Sequence, residues 1–302
     1  MQIVTRTLFA CLFGWCAMAP PVASAIEVSR SPSRLGGFSV RTRVDPATPQ
    51  TVTLTLETTE PQRFLFRAIG RGLPGLPAQN SLPVPVLSLQ EGTRLLAADR
   101  GSALTPEMTA LAFISGAFPI DPTGLTAPFN AGAALAPSLG RGTFTVTTTS
   151  GDAGSGAVLV ESHEVAPAES AARVRHFSVR GHTGPGGTVM IVGFIIRGET
   201  PLRMLVRGLG PALANVGVAR PIADPLVEIY AAGAPAPLVV NDNWSDDPEI
   251  AETARRVKAM PLAPGSRDAA LLVALEPGAY TALIAVTDHT SGNALIEFHV
   301  LD

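Results

Sequence analysis

An internal repeat constrains this chain more than any other feature of its sequence. Four segments of the first half return in the same order in the second half, at offsets of 136 to 140 residues. Preserved order and a nearly constant offset indicate duplication of one module of about 135 residues, a common domain size. The matching segments are 38–41 (FSVR) with 177–180, 64–70 (FLFRAIG) with 204–210, 142–146 with 278–282, and 155–163 with 291–299.

Both copies show the residue pattern of β-strands. Residues 51–59 alternate apolar residues with threonines, and their counterpart at 188–196 is apolar on both faces. Gly and Pro turn signals, such as those at 184–187 and 277–278, separate the runs. Many short strands at this spacing are typical of an antiparallel sandwich. We therefore predict an all-β fold of two tandem, jelly-roll-like β-sandwich modules, with one short helix inserted in the second.

That helix is predicted at 248–260, where apolar residues recur at helical spacing. Asp247 is suited to be its N-cap and Pro248 its first residue. The first copy contains only a weak echo of this pattern, at 105–108.

A segment rich in alanine and proline at 166–172 (APAESAA) is expected to link the two copies. The first module then covers 26–165 and the second 173–302. Residues 1–25 form a separate segment.

This first segment has the layout of a secretory signal peptide. Arg6 precedes an apolar run at 8–18, and small residues follow at 23–25. The run is too short to cross about 30 Å of hydrocarbon. We expect cleavage after Ala25 and export to the periplasm, the cell surface or the medium. Both cysteines lie in this segment, so the mature chain would contain no disulfide.

The charge of the chain argues against a nucleic-acid partner. Its pI is about 6.0, its formal net charge is −3, and no block of Lys and Arg offers a phosphate-binding surface. No segment after the signal peptide is long and apolar enough to span a membrane. The partner expected after export is a polysaccharide or a protein of the cell surface, and the sequence leaves its identity open.

The second copy resembles a known kind of repeat module. The resemblance rests on 192–196 (VGFII), 206–211 (VRGLGP), 241–244 (NDNW), 276–281 (EPGAYT) and 294–297 (ALIE). Together these segments resemble a β-sandwich repeat of secreted and surface proteins of environmental bacteria and, more distantly, bacterial pre-peptidase C-terminal domains. The resemblance implies an extracellular accessory sandwich and no catalytic residues. The first copy departs from it, because it lacks the NDNW loop.

The sequence offers no motif for catalysis. It contains no G-x-S-x-G turn, no H-E-x-x-H and no pair of histidines four residues apart. A pair of carboxylates could serve glycoside cleavage, but the sequence does not fix the separation that this chemistry needs. We therefore expect a protein that is not an enzyme. Its histidines, each isolated in sequence from any serine motif, are His163, His176, His182, His289 and His299.

The loop 241–247 (NDNWSDD) has the densest polar chemistry. Crowded oxygen ligands suit Ca²⁺, but the D-x-D-x-D-G register is missing. Asp246 and Asp247 are also placed to cap the following helix, so we expect no cofactor, with Ca²⁺ as the alternative. An exposed Trp244 could stack on a sugar, whereas a buried one would fasten the loop; we expect burial. The candidate ligand-binding residues are Asn241, Asp242, Asn243 and Trp244, and the candidate metal ligands are Asp242, Asp246 and Asp247.

Charged residues recur within strands that are otherwise apolar. Arg67 and Arg207 share faces with leucines, and Glu161 and Glu297 do the same in the last strand of each copy. An unpaired charge in such a place loses several kcal/mol of hydration, and a carboxylate is the natural partner of a guanidinium. We predict the structural pairs Arg67–Glu161 and Arg207–Glu297. The alternative is that each arginine lies in water at a strand end.

Three classes of function remain, and we favour a non-catalytic extracellular structural or adhesive module pair. The second is binding of a glycan or another ligand through loops at one sandwich end, which a face with several exposed aromatics would favour. The third is an enzyme, which histidines or carboxylates converging in a deep pocket would favour.

Overall fold

The alternating apolar segments form antiparallel strands, which confirms the predicted all-β class. The computed structural model describes residues 31–71, 78–103, 105–118, 120, 132–165, 172–287 and 289–301, within one unit, Ser31–Asp302. The predicted signal peptide lies outside the described residues, and so does the predicted linker apart from Ala172. No helix of the described residues is long and apolar enough to cross a membrane.

The elements of the first half are β1 (Arg34–Val44), β2 (Gln50–Glu57), β3 (Gln62–Ile69), β4 (Pro85–Glu91), β5 (Arg94–Asp99), α1 (Pro106–Ser115), β6 (Ala133–Leu135), β7 (Ser138–Leu139), β8 (Gly142–Ser150) and β9 (Gly156–Glu164). Those of the second half are β10 (Arg173–Thr183), β11 (Met190–Arg197), β12 (Leu202–Leu209), α2 (Pro211–Ala214), β13 (Pro225–Ala231), β14 (Val239–Asn241), α3 (Pro248–Arg256), β15 (Ala269–Leu275), β16 (Gly278–Val286) and β17 (Gly292–Val300). Short 3₁₀ turns lie at Ala78–Asn80 and Gly186–Thr188.

The two halves pair their strands in the same way, as a duplication requires. In each half the first strand pairs with the last, as β1 with β9 and β10 with β17. The last strand then pairs with the third, as β9 with β3 and β17 with β12. The second strand pairs with the penultimate one, as β2 with β8 and β11 with β16.

The halves also exchange strand pairings, which differs from the expectation of two independent modules. Strand β1 of the first half pairs with β11 of the second, and β10 of the second half pairs with β2 of the first. The strands form two rows of eight hydrogen-bonded neighbours, here called ladders, and each ladder is built from both halves. Their strand orders are β5-β4-β8-β2-β10-β17-β12-β15 and β14-β13-β16-β11-β1-β9-β3-β6. They meet where Arg43 of β1 is opposite His182 of β10.

The main hydrophobic core is likewise common to both halves. One cluster of buried side chains includes residues from strands of both halves, from Leu35 in β1 to Phe298 in β17. At its centre the Phe38 and Phe177 rings stack with centroids 4.8 Å apart, and Phe298 stacks on Phe177 at 4.3 Å. Alternation in sequence determines which face of a strand is buried but not which strand lies beside it. The sequence pattern is therefore equally compatible with separate and with exchanged halves.

Helices cover the outer faces of both ladders. Helix α3 begins where predicted, with the Asp247 carboxylate accepting the N–H groups of Glu249 and Ile250, and it ends at Arg256, earlier than expected. The first half contains a helix of ten residues, α1, where the sequence showed only a weak helical pattern. The prediction of a single helix, in the second half, is therefore wrong. The apolar residues of α1 surround the axis, with Phe113 88% exposed, which is why helical periodicity is absent from its sequence.

Candidate functional site

The predicted arginine–glutamate pairs are both present, each beneath the chain that covers its ladder. Arg67 Nε lies 3.0 Å from Glu161 Oε2, and Arg207 Nε lies 2.8 Å from Glu297 Oε2. The side chains of Arg67 and Arg207 are 2% and 0% exposed. The alternative of arginines in water at the strand ends is therefore wrong.

Each arginine also holds the segment that follows the helix of its own half. Arg67 Nη2 donates to the Phe118 carbonyl at 2.9 Å, and Arg207 Nη1 donates to the Met260 carbonyl at 2.5 Å. The buried guanidinium thus joins sheet, carboxylate and post-helix chain in both halves.

A histidine completes this arrangement in both halves. His163 Nε2 lies 3.4 Å from Glu161 Oε1, and His299 Nε2 lies 3.5 Å from Glu297 Oε2. Since each histidine follows its glutamate by two residues on one strand, both side chains lie on the same face of the ladder.

The second half adds a second histidine to this group. His176 of β10 is opposite His299, whereas the corresponding residue of β1, opposite His163, is Gly37. The centroids of the His176 and His299 rings lie 4.5 Å apart. His176 Nε2 is buried without a hydrogen-bond partner among the described residues.

The two histidines and Glu297 line a cavity of about 630 Å³, here called the His176 pocket. Its other side comes from the first half, since Thr55 is opposite His176 and Thr143 is opposite Thr55. Its remaining lining includes Thr53, Arg175 and the segment from Arg256 to Met260 that follows α3.

The equivalent cavity of the other ladder, here called the Gly37 pocket, measures only about 170 Å³. Ala279, Ile195 and Gly37 take the places of Thr143, Thr55 and His176 in the same row of strand partners. The two halves therefore share the arginine–glutamate–histidine group but differ in the cavity beside it.

Burial and neighbouring charges set the protonation of this group. Burial raises the Glu297 pKa, but the hydrogen bond from His299 and the positive charge of Arg207 outweigh it and hold the pKa well below its ordinary value of 4.5. Burial and the nearby His299 lower the pKa of His176 to about 4. At neutral pH the pocket therefore contains an ionised carboxylate and a neutral His176 imidazole.

The loop predicted to bind a ligand is held in place by contacts of its own residues. Trp244 is 6% exposed and packs against Leu205 and Ile250, which confirms the expected burial over the alternative of an exposed, sugar-stacking ring. Asn241 Oδ1 accepts the Ala270 N–H at 2.9 Å, and its Nδ2 donates to the Asn243 carbonyl at 3.0 Å.

The candidate calcium ligands do not converge. Asp246 accepts the Gly265 N–H at 2.8 Å, Asp247 caps α3, and Asp242 is exposed. Within the described ranges, one group of three metal-ligating residues is present, His176, Glu297 and His299. Sequence reasoning missed it because His176 has no counterpart in the repeat and the group comes together only through strand pairing.

Comparisons with known proteins assign the chain to no family. No family model and no curated protein matches the sequence. Among solved structures, a DUF4785 family protein from Legionella pneumophila is similar at 9% identity and a TM-score of 0.22, covering 91% of this chain and 84% of that chain. PNGF-II is similar at 13% identity and a TM-score of 0.21, covering 91% of this chain and 62% of that chain.

Proposed function

We propose that this chain is a non-catalytic extracellular β-sandwich protein with an adhesive role, and that its binding contact is made at the His176 pocket. The observation that carries the proposal is the difference between the halves. One ladder has a cavity of about 630 Å³ where the other has only about 170 Å³. Duplicated scaffolds need no such difference to remain folded, so the larger cavity of one ladder favours a binding role.

The lining of the pocket favours an acidic polysaccharide as its ligand. Arg256 and Lys258 line the pocket and have no ion-pair partner among the described residues. Threonine hydroxyls on the opposite side can hydrogen-bond to sugar hydroxyls and carboxylates. Arg175 contributes less charge, because it pairs with Glu57 at 2.6 Å.

The histidines and the carboxylate converge in a pocket, which is the arrangement that would favour an enzyme. The hydrogen bonds of the pocket favour binding instead. Glu297 is held by buried Arg207, and the hydroxyls of Thr53 and Thr55 lie 3.2 and 3.0 Å from those of Thr145 and Thr143. A serine or threonine nucleophile needs an adjacent base, and the described partner of each of these hydroxyls is another threonine. A hydroxyl with one such partner retains the capacity to hydrogen-bond to a sugar.

A binding screen tests the proposal. Polygalacturonate and alginate are expected to bind the purified chain, and uncharged dextran is expected not to bind. The double variant Arg256→Ala/Lys258→Ala should weaken binding at least tenfold. Arg255→Ala is the matched control, since Arg255 lies on the same helix, is 74% exposed and does not line the pocket. Unchanged binding by the double variant, or no acidic polysaccharide bound at all, would contradict the proposal.

A further inference from the structure

Three side chains of the His176 pocket offer metal ligands at one point. One ligand atom each of His176, Glu297 and His299 lies within 4.8 Å of the other two. Two imidazoles and one carboxylate are a donor set that Zn²⁺ takes in proteins, with a fourth position left open. Zinc–ligand bonds of about 2.1 Å place tetrahedral ligand atoms about 3.4 Å apart, so side-chain movements of about 1 Å close the site.

His176 differs from the other two residues of this group in having a buried ring nitrogen, Nε2, without a hydrogen-bond partner among the described residues. A buried polar atom without a partner costs free energy and therefore calls for an explanation. A cation at this point would supply the missing partner.

Glu297 is already oriented for such a role. The described hydrogen bonds to its carboxylate, from Arg207 and His299, reach Oε2. An ion would therefore take Oε1, while Arg207 fixes the plane of the carboxylate from beneath. Metal-binding carboxylates are commonly held in this way by a second hydrogen-bonding group.

The first half provides an internal comparison. It retains Glu161 and His163 but has Gly37 where the third ligand would be. A Cβ atom at Gly37 would lie 3.0 Å from the Ser162 carbonyl oxygen, so the backbone there leaves little room for a side chain. The first half therefore has two of the three ligands.

We propose that His176, Glu297 and His299 form a Zn²⁺ site at the base of the His176 pocket, with its fourth position open to the cavity. The inference rests on the proposed binding function in one respect, that a carboxylate of an acidic ligand would take the open position. The ion itself requires only the three side chains.

Zinc chloride titrated calorimetrically into the chain, purified without a polyhistidine tag, tests the site. We expect one ion to bind per chain, and His176→Ala to weaken binding more than tenfold. Because His176 Nε2 makes no hydrogen bond to a described residue, this variant should fold normally, which circular dichroism checks. His163→Ala, the equivalent change in the first half, is the control and should bind zinc like the wild type. Cobalt, as a spectroscopic substitute, should give the visible absorption of a tetrahedral site.

Absence of zinc binding, or equal binding by the wild type and His176→Ala, would overturn the site. The polysaccharide screen repeated with a chelator separates the two proposals. Polysaccharide binding without zinc binding would refute the metal site and leave the binding function intact. Zinc binding without polysaccharide binding would support the metal site and refute the proposed ligand.

Discussion

Removing Glu161 should destabilise the chain strongly, because it leaves the guanidinium of Arg67 buried without a counter-charge. The two side chains are 2% and 4% exposed. The described partners of Arg67 that would remain are the carbonyl and the ring of Phe118, and neither carries a counter-charge. Breaking a buried pair on one side typically costs about 3–5 kcal/mol. At about 2–4 °C per kcal/mol for a chain of this size, Glu161→Ala should lower the Tm by roughly 6–20 °C.

Urea unfolding followed by circular dichroism measures this cost. Arg63→Ala is the matched control on the same strand. It breaks the Arg63–Glu107 pair, whose side chains are 44% and 63% exposed, and should cost under about 1 kcal/mol. The double variant Arg67→Met/Glu161→Leu should be more stable than Glu161→Ala, since it removes both charges. A cost under about 1 kcal/mol for Glu161→Ala would refute the reasoning.

Other substitutions test the second half. Trp244→Ala should cost about 3–5 kcal/mol, and Trp244→Phe under about 1.5, because the buried indole N–H makes no described hydrogen bond; urea unfolding compares the two. Asp247→Ala should cost about 1 kcal/mol through loss of the α3 cap, measured in the same way. Burial lowers the pKa of His176 from 6.5 to about 4, so the unfolded chain takes up its proton first as pH falls. Stability should therefore decrease by about 3 kcal/mol between pH 6.5 and 4, and His176→Gln should remove this part; unfolding in chelator at both pH values checks it.

The strands and the buried ion pairs could be predicted from the sequence because both follow from alternation within one strand. Arg67 and Glu161 stand among leucines, and this local conflict between charge and burial requires a partner. The burial of Trp244 could be predicted for a similar reason, since a large apolar side chain gains most from being covered. Such features depend on a residue and its nearest neighbours along the chain.

The exchange of strands and the pocket depend on pairing between distant segments, which alternation does not encode. Strand β1 presents the same buried face to a neighbour from either half. His176 had a detectable signal, since it stands at a repeat position where the other copy has Gly37. Its significance required the register that places it beside His299 and opposite Thr55.

The central claim is that the two halves form one folding unit and together build the His176 pocket. Separate expression of 31–165 and 172–301, followed by mixing, tests this most directly by circular dichroism, gel filtration and polysaccharide binding. We predict that neither half folds alone, because β1 and β2 lose their partners β11 and β10, and that mixing restores a folded one-to-one complex that binds. If 172–301 folds alone and binds as tightly as the full chain, the claim is wrong.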